Sequence, residues 1–201
     1  LAGGQLIILL VLTGLAAILL GMGITTTAVY ITVAALIVPS LIEIGVTPMA
    51  AHLFAFYYGV VSTITPPVAL ASFAAAAIAG SPPMATAFES ARIGVAKYLV
   101  PFVFVYNPSL LLAGPVWLSF LSFSASLTGL WALSVALEGW YRGREYSLPM
   151  RLLLGVLAIA LLLPPTELII GFPGYYYWLA AFVGVGLFVR NARRSKERVA
   201  A

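Results

Sequence analysis

"GVVSTITPPVALASF", residues 59–73, decides the fold. It lies in a charge-free run over 44–88, yet Pro66 and Pro67 stand in its middle, behind Ser62, Thr63 and Thr65. A proline inside a helix removes a hydrogen bond and clashes with the preceding turn, at about 3 kcal/mol. Backbone groups freed in hydrocarbon are costly unless something satisfies them, so irregular backbone at depth survives only where protein buries it or a watery cavity receives it. Residues 49–80 are too long for a simple crossing, since 32 residues at about 1.5 Å each far exceed a core of about 30 Å. A break near Thr65–Pro67 divides them into two half-helices. Each proline pushes its predecessor, Thr65 and Pro66, out of helical geometry. The carbonyls four residues earlier, at Ser62 and Thr63, then fall beside three hydroxyls as a cluster of neutral oxygens at mid-depth.

Composition sets the surroundings. Of 201 residues, 63% are hydrophobic and 8% are charged, whereas about a quarter of a soluble domain is charged. A soluble domain is excluded. No charge occurs in 1–42, 44–88, 98–137, 152–166 or 168–189, and several of these runs exceed the roughly 20 residues of a spanning helix. They do not alternate as barrel strands do. The chain reads as an all-α polytopic membrane protein. Cysteine is absent, which removes disulfides and thiolate metal sites. The net charge of +4 resides in short tracts beside apolar runs, so topology accounts for it and nucleic acid does not. The chain starts at Leu1, and "LAGGQLIILLVL" has no charged n-region. It reads as the later portion of a longer gene product, or as a trimmed piece of one.

The first segment runs Gln5–Gly21, breaks at "GMGITTT" (21–27), and resumes over Ala28–Ile44. After "GVTP" (45–48) comes the long stretch 49–80, then the amphipathic segment "SPPMATAFESARIGVAK" (81–97). Further spans are expected near 98–113, 115–137, 150–165 and 175–189, with turns at "NPSLLLAGP" (107–115) and "PPTELIIGFPG" (164–174). Two regions result. Residues 1–114 hold the hairpin, broken helix, amphipathic segment and helix, and 115–201 form a three-helix extension. Basic residues fall in 92–97, 142–151 and 190–198. Threading the chain through them puts 81–97, 139–151 and the C-terminus in the cytoplasm. Trp117, Trp140, Tyr141 and "YYYW" (175–178) fall near span ends, where amphipathic rings prefer to lie.

"GMGITTTAVYI" is the second interruption. Gly21 and Gly23 permit a tight turn, and Thr25, Thr26 and Thr27 can cap the helix that follows. That helix presents N-terminal amides, which attract anions. A glycine turn entering a capped helix, together with a broken helix, is the pairing expected at a secondary transporter's site. Close helix packing explains Gly-Thr clusters too, and prolines kink spanning helices without ligands. For either interruption alone the packing reading stands equal. Together, joined by one apolar helix, they favour a site.

All six acidic residues are glutamates: Glu43, Glu89, Glu138, Glu145, Glu167 and Glu197. Each falls at a span end or in a loop. A proton relay uses a buried ionisable side chain, and His52, the single histidine, lies near the outer end of a helix. Sodium held by carbonyl and hydroxyl oxygens needs no carboxylate, and it would supply the positive charge that an anionic substrate requires. Enzyme readings fail. A membrane aspartyl protease needs two aspartates, His52 lies too near the surface for a serine–histidine pair, and no metal-ligand spacing or phosphate loop is present.

These residues also carry a resemblance. The stretch from "GMGITTTAVYITVAALIVPSLIEIG" through "AAHLFAFYYG", "TPPVA" and "FVFVYNPSLLL" resembles the large membrane subunit of TRAP (tripartite ATP-independent periplasmic) transporters, over about Gln5–Leu112. It looks most like the TAXI-associated branch, whose small and large membrane subunits are commonly fused. The resemblance implies an inner-membrane elevator transporter built from inverted repeats, each with a re-entrant hairpin and a broken helix. Here 5–44 corresponds to the second hairpin and 49–80 to the second broken helix. It also implies a periplasmic substrate-binding protein as partner, an organic acid as substrate, and sodium symport without any other cofactor. Carried onto this chain, Gly21, Gly23, Thr25, Thr26 and Thr27, with Ser62, Thr63, Thr65, Pro66 and Pro67, match the ion- and substrate-binding region. Sodium would be held through Thr27, Ser62, Thr63 and Thr65. At Thr25 the family more usually has proline, so the geometry of the tip stays open. The first repeat is expected upstream, with the small subunit fused to it.

The leading expectation is therefore a sodium-coupled organic-acid permease. A non-transporting scaffold in the membrane, with continuous packed helices at 49–80, is the alternative from another class. A proton-coupled carrier is a third.

Overall fold

A computed structural model describes residues 5–163 and 175–200 of the chain, without the side chains of 175–177 and 191–200. The turn read at 164–174, with Glu167, lies outside the described residues, as do the side chains of most of the C-terminal basic tract. The chain divides into two compact units, Leu1–Leu111 and Leu112–Ala201.

In the first unit, α1 (Leu6–Leu20) is apolar throughout, and packing alone selects its inner face. Leu10, Thr13, Gly14 and Ala17 are buried at helical spacing. Three of these are small, which lets α1 approach its neighbours closely. A Cβ on Gly14 would stand 2.9 Å from the Tyr58 ring. α2 (Thr26–Leu36) and α3 (Val38–Glu43) follow the glycine turn. The single helix expected over 28–44 is thus two. Pro39 lacks the N–H that Ala35 would receive, and the chain bends at Ile37, with φ −116°.

α4 (Pro48–Val61) is the centre of this unit and packs on α1, α2, α3 and α7 (Val95–Tyr106). Ala50, Ala51, Phe54 and Ala55 are fully buried along one stripe, against Leu10, Val29, Val33 and Leu41. Helical geometry then stops over Ser62–Ala69, apart from one 3-10 turn at Ser62–Ile64, and resumes in α5 (Leu70–Ala79). Thr65 is extended, with φ −96° and ψ 124°, as the following proline requires. α6 (Pro83–Ile93) is separated from α7 by Gly94 alone. The amphipathic segment therefore ends earlier than expected, and Lys97 belongs to the first turn of α7.

The second unit contains α8 (Val116–Glu138), α9 (Leu148–Leu162) and α10 (Tyr175–Ala200). α8 turns Ser122, Ala125, Gly129, Ala132 and Ala136 inward. The chain is mostly helical, as expected, and its one short exception is a pair of two-residue strands among the described residues, β1 (Trp140–Tyr141) and β2 (Arg144–Glu145), which pair antiparallel between α8 and α9. Arg142 and Gly143 join them with φ values of +54° and +84°, both left-handed, as in a type I′ turn. Two expected interface aromatics also turn inward. Tyr141 packs on Trp131 at 5.2 Å, and Trp178 is buried with its indole N–H donating to the Leu163 carbonyl at 3.0 Å.

Apolar side chains face outward throughout, among them Leu19, Ile31, Ile78, Phe120 and Val156, each more than half exposed. In water so much apolar surface would be a severe liability; in lipid it is the ordinary exterior. Among the described residues, α8 alone is long and apolar enough to cross a bilayer unaided. The spans expected at 98–113 and 150–165 shorten to α7 and α9, of 12 and 15 residues.

Candidate functional site

The two interruptions of the first unit meet. Gly21 ends α1 with its N–H on the Ala17 carbonyl at 2.9 Å, and it is buried against Ser62. A Cβ there would collide with the Ser62 hydroxyl, so this position admits glycine alone unless the neighbour moves. One turn of α4 earlier, a Cβ on Gly59 would lie 3.7 Å from the Thr26 methyl and 3.5 Å from Val29. Two glycines, one on each interruption, thus let the hairpin turn lie directly on the end of α4.

The turn itself is short. Gly23 has φ +101° and open space about it, and Thr25 is extended before α2. The Thr25 hydroxyl accepts the Ala28 N–H at 3.4 Å, the capping role expected of it. Thr26 is half-buried with its methyl toward Gly59, while Thr25 and Thr27 are exposed. The structure therefore brings Gly21 and Thr26 to the break and leaves Gly23, Thr25 and Thr27 on the open side of the turn.

At the break, the hydroxyls act on the end of α4. Ser62, Thr63 and Thr65 each donate at 2.7 Å, to the carbonyls of Gly59, Val60 and Val61 respectively. The Ser62 carbonyl, expected to be free, receives the Thr65 N–H at 3.2 Å within the 3-10 turn. The surplus of bare carbonyls is therefore smaller than the prolines alone imply. What the break offers is hydroxyl oxygen: each of these groups has given away its one proton and retains lone pairs for an incoming cation.

Pro66 and Pro67 are joined by a cis peptide bond. Beyond them Ala69 takes a left-handed conformation, φ +34° and ψ 52°, and no side chain caps α5. The first N–H groups of a helix have no intrahelical acceptor, and their partial positive charge favours an anion. Ser72, in the first turn of α5, is 3% exposed, and its hydroxyl has no hydrogen-bond partner among the described residues.

Two tyrosines join this constellation unannounced by the sequence. Tyr98, in the first turn of α7, lies 2.7 Å from the Thr65 hydroxyl. Since Thr65 gives its proton to Val61, Tyr98 is the donor. Tyr58 donates to the Tyr98 carbonyl at 2.9 Å, tying α4 to α7 on the same side. Thr65 and Tyr98 are 33 residues apart, and neither belongs to a motif with a spacing that would pair them. Close packing supports the contact, for a Cβ on Gly94 would stand 2.8 Å from Ile64. His52 is half-buried and 3.1 Å from the Tyr30 hydroxyl, which ties α4 to α2.

Comparison with known families bears on this geometry. The family described as the tripartite ATP-independent periplasmic transporter, DctM component, matches residues 1–117. The chain belongs to that family. It is a component of a TRAP-type secondary transporter of the inner membrane and not an enzyme, and the family works with a periplasmic binding protein and a small membrane subunit. No curated protein and no solved structure matches the chain.

Proposed function

We propose that this DctM-family chain supplies one half of the ion and solute site of a sodium-coupled organic-acid permease. The observation that carries the reading is the seating of the Gly21 turn on Ser62, at the end of a helix that stops within the apolar run. Sodium is a hard cation that takes oxygen ligands, and neutral hydroxyls at a helix C-terminus supply them where the helix dipole is negative. Ser62, Thr63 and Thr65 are the ligands from the break, Gly21 and Thr26 form the wall against them, and Gly23, Thr25 and Thr27 lie on the open side of the turn. The uncapped start of α5, beside buried Ser72, receives the carboxylate of the solute, and sodium neutralises it.

The matched stretch extends to residue 117 and includes every one of these groups. In this reading the hairpin is re-entrant, and a first inverted repeat elsewhere in the permease completes the site. The chain is of the TAXI-associated fused type, its C-terminus is cytoplasmic, and a periplasmic binding protein delivers the solute. The test is uptake by the complete permease in liposomes with its binding protein present. An inward sodium gradient should drive accumulation, and potassium in its place should not. Uptake indifferent to sodium removes the coupling, and a pH gradient that suffices alone replaces sodium with the proton.

A further inference from the structure

The start of α5 is a cluster of hydrogen-bond donors. The N–H groups of Leu70, Ala71 and Ser72 make up its first turn, and none has an acceptor among the described residues. Phe73, one position on, is the first in the helix to find one, the Ala69 carbonyl at 3.0 Å. Leu70 and Ala71 are exposed, so the amide cluster is open. Ser72 stands behind it on the buried face of α5, with Ala76, where the helix packs on the 3-10 turn of the break and on α6. A side chain at the third helical position leans back toward the helix start, the geometry that capping boxes use. We propose that the Ser72 hydroxyl donates to the carboxylate of the solute and takes no part in holding the cation, a role that rests on the α5 start being the anion end of the site.

The hydroxyls of this region divide by where their protons go. Those of Ser62, Thr63 and Thr65 go to carbonyls at the end of α4, and that of Tyr98 goes to Thr65. Such oxygens have only lone pairs left to offer, which suits a cation. Ser72 has kept its proton. It is 3% exposed and has no partner among the described residues, so neither the protein nor bulk water takes that proton. A helical serine ordinarily satisfies itself on a carbonyl one turn back, as Ser124 and Ser134 do in α8. Left-handed Ala69, with φ +34°, breaks the helical path to the Val68 carbonyl, and the Ala69 carbonyl already receives Phe73. Ser72 is thus held with a free proton beside three free amides. The carboxylate of α6, Glu89, is exposed and paired with Arg92 at 2.7 Å, so it does not use these donors. An ionised acceptor is what the set matches, because hydrogen bonds to a charged group are the strong ones. A neutral amide of the same shape would bring its own N–H groups against donors.

The experiment is thermal unfolding of the complete permease in detergent, titrated with acetate and, separately, with acetamide at fixed sodium chloride. Sodium is titrated in its turn by replacing choline chloride. Acetate should raise the unfolding temperature saturably in the wild type, and acetamide should not. Ser72→Ala deletes an unpaired group, so without acetate it should unfold no lower than the wild type. It should weaken acetate about tenfold, the value of a bond to a charged group, and leave the sodium midpoint in place. Ser72→Cys, close in size but a weak donor, should fall between. Acetate affinity unchanged in Ser72→Ala overturns the role of Ser72 while the anion end of the site stands. A shifted sodium midpoint also overturns it, because Ser72 would then belong with the cation's ligands. Wild-type protein indifferent to acetate removes the anion end itself, and the role of Ser72 with it.

Discussion

Gly21 and Ser62 are in contact across 41 positions of sequence, and neither could be larger without parting the hairpin from the broken helix. Overpacking of this kind costs about 1–3 kcal/mol. Gly21→Ala should therefore lower the thermal stability of the first unit, read by tryptophan-independent probes such as amide circular dichroism in detergent. Ser62→Gly removes both atoms in the way. The double variant G21A/S62G should be more stable than the sum of the single effects predicts, with a coupling of about 1–2 kcal/mol. Strictly additive effects would mean that the turn and the break do not touch.

The Tyr98 phenol gives its proton to Thr65, so removing it should disturb the site without removing a candidate ligand. Under the sodium reading, Thr65→Val deletes an oxygen and should raise the sodium concentration for half-maximal uptake about tenfold or more, the value of a lost polar contact. Tyr98→Phe should produce a smaller rise, since Thr65 remains but is less firmly held. Thr27→Val tests the open side of the turn by the same measurement. Sodium-dependent uptake with unaltered half-saturation in Y98F would dismiss Tyr98 as a positioning residue and leave the coupling intact.

Much of this is legible in the sequence for a local reason. Proline and glycine act on their own backbone, so Pro66, Pro67, Gly21 and Gly23 announce interruptions wherever the chain is placed. Pro39 carries the same signal, but the apolar run around it reads as continuous, which is why one helix is expected over 28–44 where α2 and α3 stand. Long-range partners are not legible. Nothing in "AKYLV" distinguishes Tyr98 from an interface tyrosine, and only the fold brings it to Thr65. Nor does apolar composition reveal which rings turn inward, as Trp178 and Tyr141 do. The hydroxyls show the limit most clearly. Chain order alone sets Ser62, Thr63 and Thr65 beside the break, but that they spend their protons on the end of α4 depends on the 3-10 turn.

Ala69 offers a test of the backbone between the prolines and α5. It is fully buried and left-handed, with φ +34°, where a β-branched side chain is severely crowded. In an ordinary helix, Ala→Gly costs about 1 kcal/mol and Ala→Val about half that. At this position the order should invert. Ala69→Gly should be near neutral, since relief of strain offsets the lost methyl, while Ala69→Val should destabilise by about 2 kcal/mol or more. Thermal unfolding of the three proteins decides it. Valine tolerated better than glycine would show that α5 begins before Ala69.

In the second unit, Arg151 reaches back to the end of α8 and closes it. Its Nε donates to the Ala136 carbonyl at 2.9 Å and an Nη to the Leu137 carbonyl at 2.6 Å. These are among the last carbonyls of the helix, which lack intrahelical donors and carry its negative partial charge. Arg151→Met keeps most of the side chain's apolar stem and deletes both bonds, so it should cost about 2–3 kcal/mol, the range for bonds to a charged group. Gly139 stands beneath the guanidinium with φ +70°, and a Cβ there would lie 2.8 Å from it. Gly139→Ala therefore suffers twice, from its backbone and from Arg151. In the R151M background the second penalty changes, because a flexible thioether replaces the planar fork. The combined loss in G139A/R151M should be smaller than the sum of the separate losses, as measured by thermal unfolding. Full additivity would place the guanidinium away from Gly139 and remove the cap.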